Sequence, residues 1–433
     1  MFKAVISMRI FSYVVLLLAV NINAEENHCA SLTQPSKCGA LGELIDVEKA
    51  ATNYPNLAAV VGEPDRFKLQ IIYTQVDRDQ QNNPSLSYYT LGLDPERYFY
   101  PASTVKLPIS LLALEWVNEP QQTAITMFSP MLTDAAFEGQ SEAHTDSSSA
   151  SGLPSIAHYI KKILLVSDND ASNRLYELLG QDRLNDRLRQ LGLKHTLINH
   201  RLSIPLSAEQ NRQYNPIRFL RSDGSVALAL PARTSQSQYV NIDNPKLGIG
   251  YMSEGVLIQS PMDFSNKNCL SLQDLDGIVK RIVFPQLFIG TEQFQITEEQ
   301  RAFVLRYMSM LPGESDFPHY SKEAYPDNYS KFFMFGGNAQ SLPAHIRIFN
   351  KTGWAYGHLI DSAYIVDLEN RVEFFLSAVI YTNQNDILND DKYETEQIGL
   401  PFLNELGNIL YQYELTRAKS RQPDLSYLNK IIN

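Results

Sequence analysis

"HIRIFNKTGWAYGHLIDSAYIVDLENRVEFFLSAVIYT", residues 345–382, holds three runs of β-branched, aromatic and aliphatic residues divided by a glycine-containing turn and a Glu-Asn-Arg turn. Such runs between turn residues read as consecutive strands of an antiparallel sheet. Near the other end of the chain, "DRFKLQIIYTQVDRDQQNNPSLSYYTLGLD" (65–94) gives two similar runs around an Asn-Asn-Pro turn, the signature of a hairpin. A closing helix, "LPFLNELGNILYQYELTRA", follows the last strands.

What lies between reads as helical. Leucines recur at intervals of three and four in "IAHYIKKILLV", "ASNRLYELLG" and "DRLNDRLRQLGL". Further on, "LSLQDLDGIVKRIVF" and "ITEEQRAFVLRYMSML" are amphipathic, with Ser271 and Thr297 placed as caps. The stretch "EGQSEAHTDSSSASGLPS" is small, polar and without period, and reads as a mobile surface loop. Residues 208–262, including "PARTSQSQYVNIDNPKLG", read as an insertion. The order of strands, helices, strands and helix predicts an α/β protein, with an antiparallel sheet flanked by helices and an all-α lobe inserted into it. In residue numbers, the α/β lobe is expected at 45–105 and 344–418, and the α lobe at 106–343. An N-terminal segment (25–44) precedes the domain and a tail (419–433) follows it.

The chain has 433 residues with 37 Lys and Arg against 48 Asp and Glu, a formal charge of -11. That balance, with no basic run, excludes a nucleic-acid partner, whose phosphates need neutralising by clustered cations. Lys3 and Arg9, an apolar run from Tyr13 to Val20 and the small Ala24 form a secretory signal peptide over residues 1–24. The run is too short to span a bilayer, which needs ~20 residues. The mature chain is therefore expected to be exported, periplasmic or secreted, without a membrane span. Export permits a disulfide among Cys29, Cys38 and Cys269, and the first two are the natural first guess from their closeness. No cysteine or histidine spacing matches a metal site, and no cofactor motif is present.

The chemistry is carried by three triplets. In "YFYPASTVKLPISLLALEW" (98–116), Ser103 stands three residues before Lys106 at a helix entrance. On a helix this puts the amine one turn from the hydroxyl, where it can take the proton if burial or a nearby cation keeps it partly neutral. An ordinary N-cap is the plain alternative for a lone serine there. Ser167-Asp168-Asn169 and Lys351-Thr352-Gly353 each occur once, as does the S-x-x-K.

These three motifs, in this order, resemble those of the penicillin-recognising serine hydrolases, most closely the class A β-lactamase-like branch of the DD-peptidase superfamily. The resemblance runs from about Leu44 to Tyr413, leaves the insertion unexplained, and implies a β-lactamase/transpeptidase-like fold. It also implies roles. Ser103 would be the nucleophile, Lys106 its base, and Ser167 the relay of a proton to the leaving group. Asn169 would bind the substrate amide and help hold Lys106, and Lys351 and Thr352 would bind a substrate carboxylate. The backbone N-H groups of Ser103 and of Trp354, which follows Gly353, would form the oxyanion hole. Asp168 would be structural. The implied partner is a small-molecule or peptide-like acyl substrate, such as a β-lactam or a peptidoglycan-derived donor.

One departure bears on the substrate. Class A β-lactamases carry a water-activating glutamate on a loop after the S-D-N helices. Here "HTLINHRLSIPLSAEQN" keeps an Arg201-Leu202 pair like that loop's, and counting onward places Leu206 at the glutamate's position. An isobutyl group cannot accept a proton from water, so penicillin turnover should be poor. Glu209, three residues on, is the candidate substitute in an active-β-lactamase reading, alongside Lys106 itself. A non-catalytic binding or sensor module is the reading from another class. His195 and His200 read as surface or core histidines, and His358 as packed or solvated. Tyr98 and Tyr100 read as packing the hairpin onto the helix.

Overall fold

The computed structural model describes residues 32–33, 35–241, 245–337 and 341–432. The expected signal peptide and Cys29 lie outside the described residues. Six strands form the central sheet: β1 (Pro35–Ala40), β2 (Gln70–Arg78), β3 (Pro84–Leu91), β4 (Ile346–Ala355), β5 (His358–Asp367) and β6 (Val372–Tyr381). Their order is β1-β3-β2-β6-β5-β4, so both chain ends build one sheet, joined where Ile72 of β2 faces Ser377 of β6. The sheet is not wholly antiparallel, because β1 runs parallel to β3. β1 falls in the segment expected to precede the domain. Its sequence, PSKCGA, lacks the β-branched residues that announce a strand.

Strands β5 and β6 are buried along their whole length, since both faces of the sheet are covered. Ile360, Tyr364, Val366, Phe375 and Val379 face one core, and Leu359, Ala363, Ile365, Phe374, Leu376 and Ala378 face the other. This alternation is the pleat's period of two. The helices of ten or more residues are α1 (Lys106–Val117), α2 (Ile156–Val166), α3 (Asn169–Leu179), α4 (Gln181–Gln190), α5 (Leu272–Val283), α6 (Glu298–Ser309) and α7 (Leu400–Thr416). Ser271 and Thr297 cap α5 and α6 as expected, accepting from Asp274 N and Gln300 N. Helix α7 covers one face of the sheet with Phe402, Leu403, Leu406 and Leu410.

The expected lobe boundary does not follow the packing in two places. Helices α5 and α6, placed by sequence order in the helical lobe, lie against the sheet, α5 on β2, β5 and β6 and α6 on β4. The amphipathic period shows that a helix buries one face, not which layer it buries it against. The tail beyond 418 also joins the core through Leu425, Leu428 and Ile431. The helical lobe proper is α1 to α4 around α1, which is buried on almost every side, Lys106 and Ser110 included, as its mostly apolar sequence requires.

The insertion is woven in. Ile217–Leu220 pairs with Val226–Leu230 and Met131–Thr133, and Gly250–Ser253 pairs with Val256–Ile258 and Ile387–Leu388. Residues Leu247 and Phe264, from and just after it, pack with Tyr100 and Leu388, next to Tyr98 and Tyr356. The loop at 138–155 is tied down through Asp146, which accepts from Ser148 N (3.0 Å), Ser148 Oγ (2.6 Å) and Lys162 Nζ (3.2 Å). Cys38 is disulfide-bonded, and Cys269 is free and buried. Among the described residues, no helix is long and apolar enough to cross a membrane.

Candidate active site

Ser103 lies on a 3-10 turn, Ala102–Val105, that leads directly into α1, with Lys106 as the first residue of the α-helix. In a 3-10 turn, side chains at i and i+3 eclipse, so the spacing aligns the two more closely than an α-helix would. The turn is stiff. Pro101 O accepts from Thr104 N (3.1 Å) and Thr104 Oγ1 (2.7 Å), and Ala102 is held at φ +49°. A non-glycine residue at positive φ stores strain, which concentrates at functional turns.

The S-D-N triplet forms the junction of α2 and α3. Ser167 ends α2 in the left-handed conformation (φ 60°), and Asp168 caps α3 by accepting from Ala171 N at 2.8 Å. Asp168 also pairs with Lys162 at 3.4 Å. This geometry points Ser167 O, Ser167 Oγ and Asn169 Oδ1 at one atom, Lys106 Nζ, which donates to the last two at 3.2 and 2.7 Å and to the carbonyl as well.

Lys351 approaches from β4. Its Nζ donates to Ser167 Oγ at 3.0 Å and to Thr352 O at 2.9 Å, so one hydroxyl sits between two amines. Gly353 lets the strand reach the turn that bears Ser103: a Cβ there would stand 2.8 Å from Pro101 O and 3.0 Å from Thr104 Cγ2. Three pieces of chain, distant in sequence, thus meet at Ser167 and at the 3-10 turn. Thr352 is buried, and Trp354 is 46 % exposed, with its ring edge-on to Phe332. The expected direct hydrogen bond from Lys106 to Ser103 is not among those of the described residues, because three acceptors on α2 and α3 occupy the amine.

Electrostatics favour a neutral amine. Burial holds Lys106 well below the usual lysine range, the charge of Lys351 depresses it further, and Asp168 opposes both. Burial also brings Lys351 to about 7, with Asp361 raising it and Lys331 lowering it. A buried network backs this strand: Lys331 donates to Asn350 Oδ1 at 2.7 Å, and Asn350 Nδ2 donates to Asp361 Oδ1 at 2.8 Å. Sequence reading missed this network. Its one signal was an Asn directly before the K-T-G and an Asp ten residues after the lysine.

The loop after α4 is where the structure changes the reading most. It is clamped by Arg201, which pairs with buried Glu177 at 2.9 Å, and by Asn173, whose amide both accepts from Leu202 N (2.8 Å) and donates to Leu202 O (3.0 Å). The next residue, Ser203, meets the site: Asn169 Nδ2 donates to Ser203 Oγ at 2.8 Å. Leu206 lies instead toward Gly139, where a Cβ would be 3.3 Å from Leu206 Cδ2. Glu209 is exposed and lines a cleft of about 240 Å³ with Gln181, Asn199, Arg212 and Tyr239. None of Ser103, Lys106, Ser167 and Lys351 lines that cleft. The loop thus brings Ser203, three residues before Leu206, into contact with Asn169. The missed signal was Asn173, one helical turn beyond Asn169.

The remaining candidates are accounted for by packing. His358 is buried between Phe99 and Tyr381, which brings it down to about 3, so it is neutral. His200 stacks on Tyr100 and bonds Arg201 O at 2.6 Å, while His195 pairs with Glu96 at 3.3 Å. Among the described residues, no group of three or more His, Cys, Asp or Glu could hold a metal ion.

Residues 56–229 match the model of a family described as the β-lactamase enzyme family. That segment contains Ser103, Lys106 and the S-D-N triplet and stops short of Lys351. The match supports a β-lactamase-like serine hydrolase superfamily. No curated protein matches the chain in sequence. Among solved structures, a β-lactamase from Desulfarculus baarsii DSM 2075 is 14% identical, covering 84% of this chain and 98% of that one, with a TM-score of 0.45. A β-lactamase from Sphaerobacter thermophilus DSM 20745 is 13% identical (85% and 99% covered, TM-score 0.45). A class A β-lactamase from Bacteroides cellulosilyticus DSM 14838 is 12% identical (84% and 99%, TM-score 0.45).

Proposed function

We propose that this β-lactamase-like chain is an exported serine hydrolase that forms an acyl-enzyme on Ser103 and releases β-lactam products slowly. The observation that carries the reading is the placement of Ser167 Oγ between Lys106 Nζ at 3.2 Å and Lys351 Nζ at 3.0 Å, beside the turn that bears Ser103. As a neutral amine, Lys106 has two N-H donors and a lone pair, so one of its three present contacts must give way. Ser167 is the one that can reverse, because a hydroxyl donates as readily as it accepts.

In the proposed step, Lys106 takes the Ser103 proton, Ser103 Oγ bonds to the acyl carbon, and the charge on the former carbonyl oxygen is met by the N-H groups of Ser103 and Trp354. The bond to the leaving group then breaks as that group takes a proton from Ser167, which is resupplied from Lys106. Asn169 binds the substrate amide, and Lys351 and Thr352 hold a carboxylate. A small-molecule or peptide-like donor, β-lactam or peptidoglycan-derived, meets these requirements.

Release is slow in this reading because no carboxylate stands where water would approach. Ser203 is a hydroxyl, Leu206 is turned toward Gly139, and Glu209 lines a separate cleft. The exposure of Glu209 disfavours an active β-lactamase that depends on it. The test is intact-protein mass spectrometry over time with a panel of penicillins, beside a fluorescent penicillin and a chromogenic cephalosporin. Labelling of the wild type but not of Ser103→Ala, with an adduct that persists, is expected. Steady cephalosporin hydrolysis lost in Glu209→Gln would establish the β-lactamase instead, and no labelling at all would leave a binding or sensor module.

A further inference from the structure

Asn169 uses both ends of its carboxamide. Oδ1 accepts from Lys106 Nζ at 2.7 Å, and Nδ2 donates to Ser203 Oγ at 2.8 Å. A carboxamide turned by half a rotation would present Nδ2 to the amine, donor against donor, so something must fix which way it faces. Near Nδ2, only Ser203 does this among the described contacts. The loop holds Ser203 there at a cost, because it sits at φ 58° between a clamped Leu202 and an exposed Ile204. Serine has little intrinsic preference for that conformation, whereas glycine and asparagine adopt it readily.

We infer that Ser203 is a positioning residue, which orients the Asn169 carboxamide so that its oxygen, and not its nitrogen, faces Lys106. This rests on the acyl-enzyme reading above. Its chemical content is that the loop supplies the site with a hydrogen-bond acceptor acting through Asn169, and no base of its own. The charged groups that face Lys106 are Lys351 from β4 and Asp168 from the turn before α3. Against that fixed pair, the Asn169 oxygen is the neutral acceptor that favours the ammonium form. Losing it makes proton loss from Lys106 easier, so the acid limb of the acylation profile moves to lower pH.

The experiment measures the acylation rate of Ser103 by a fluorescent penicillin across pH in Ser203→Ala, Ser203→Gly and Ser203→Asn. Alanine and glycine both remove the acceptor, and glycine in addition relieves the backbone. Asparagine keeps an acceptor and tolerates the conformation. We expect the first two to lose about 2- to 10-fold at the plateau, the usual weight of one hydrogen bond, with the acid limb displaced downward. Ser203→Asn should stay within about twofold of wild type, with the limb in place. Wild-type rates and an unmoved acid limb in Ser203→Gly would overturn the proposal. So would an equal loss in all three with the limb unmoved, which marks a merely structural loop. If the wild type itself fails to label, or Ser103→Ala labels equally, the acyl-enzyme reading fails instead.

Discussion

Replacing Gly353 by alanine tests whether contact between β4 and the turn that bears Ser103 holds the site together. The added Cβ would lie 2.8 Å from Pro101 O, 3.0 Å from Thr104 Cγ2 and 3.3 Å from Ala102 Cβ. Ordinary contacts between such atoms are about 3.5 Å. The turn cannot yield, since Pro101 O is held by two hydrogen bonds from Thr104. β4 can, because among the described residues it is an edge strand, paired with β5 on one side. The strand must therefore retreat by roughly half an ångström. Lys351, two residues earlier on the same strand, moves with it and stretches its 3.0 Å bond to Ser167 Oγ beyond hydrogen-bonding range. A displacement of 1 Å can cost about 100-fold in rate, so acylation should fall by about 10-fold or more. Overpacking of this kind should lower stability by about 1–3 kcal/mol. Acylation is read by stopped-flow labelling and stability by thermal melting. A folded Gly353→Ala protein that labels Ser103 at the wild-type rate would refute the reasoning, since the strand could then not be held against the turn as described.

Three further outcomes are expected. In Lys351→Ala, the cation that depresses Lys106 is gone and the amine is better hydrated; both raise its pKa, so the acid limb of acylation should move to higher pH, and an unmoved limb would count against the electrostatic coupling. Ser203→Glu places a carboxylate beside Asn169 and should shorten the acyl-enzyme lifetime with a penicillin, whereas Leu206→Glu should not; the reverse order, seen by mass spectrometry, would restore the position obtained by counting. Glu177→Ala leaves buried Arg174 and Arg201 without their shared carboxylate and should cost about 3–5 kcal/mol in a denaturant titration, with loss of the loop's protection from hydrogen exchange; an unchanged midpoint would mean the pair is dispensable.

The two halves of the sheet were legible because their strands are long, apolar and bounded by turn residues. Strand β1 was not, since Lys37, Gly39 and their neighbours carry no strand signature, and the contact of Lys37 Nζ with Tyr89 Oη at 3.1 Å on β3 is made by a residue that sequence alone does not mark. The site was legible to the extent that short motifs encode it. Ser103, Lys106, Ser167, Asn169 and Lys351 converge in space because each triplet brings its own local geometry: a 3-10 entrance, a helix-to-helix turn and an edge strand. What could not be read was any contact made by a residue outside a motif. The loop's register depends on Asn173 gripping Leu202, and a count from Arg201 has no access to that grip. Lys331 and Asp361 were invisible for the same reason, being buried charges whose partners lie on neighbouring strands and loops.

Because Ile72 must find Ser377 before the sheet is continuous, the order of synthesis imposes a delay. Ser103, Lys106 and Ser167 emerge from the ribosome long before β4 to β6, and until then the site lacks β4 and Lys106 has no neighbouring cation. A nascent chain, or one clipped by a protease ahead of Lys351, would carry Ser103 and Ser167 without the Lys351 amine that reaches Ser167 Oγ. On the proposed acyl-enzyme reading, reactivity toward acyl donors would report that the polypeptide has been finished, a form of timing written into the connectivity alone.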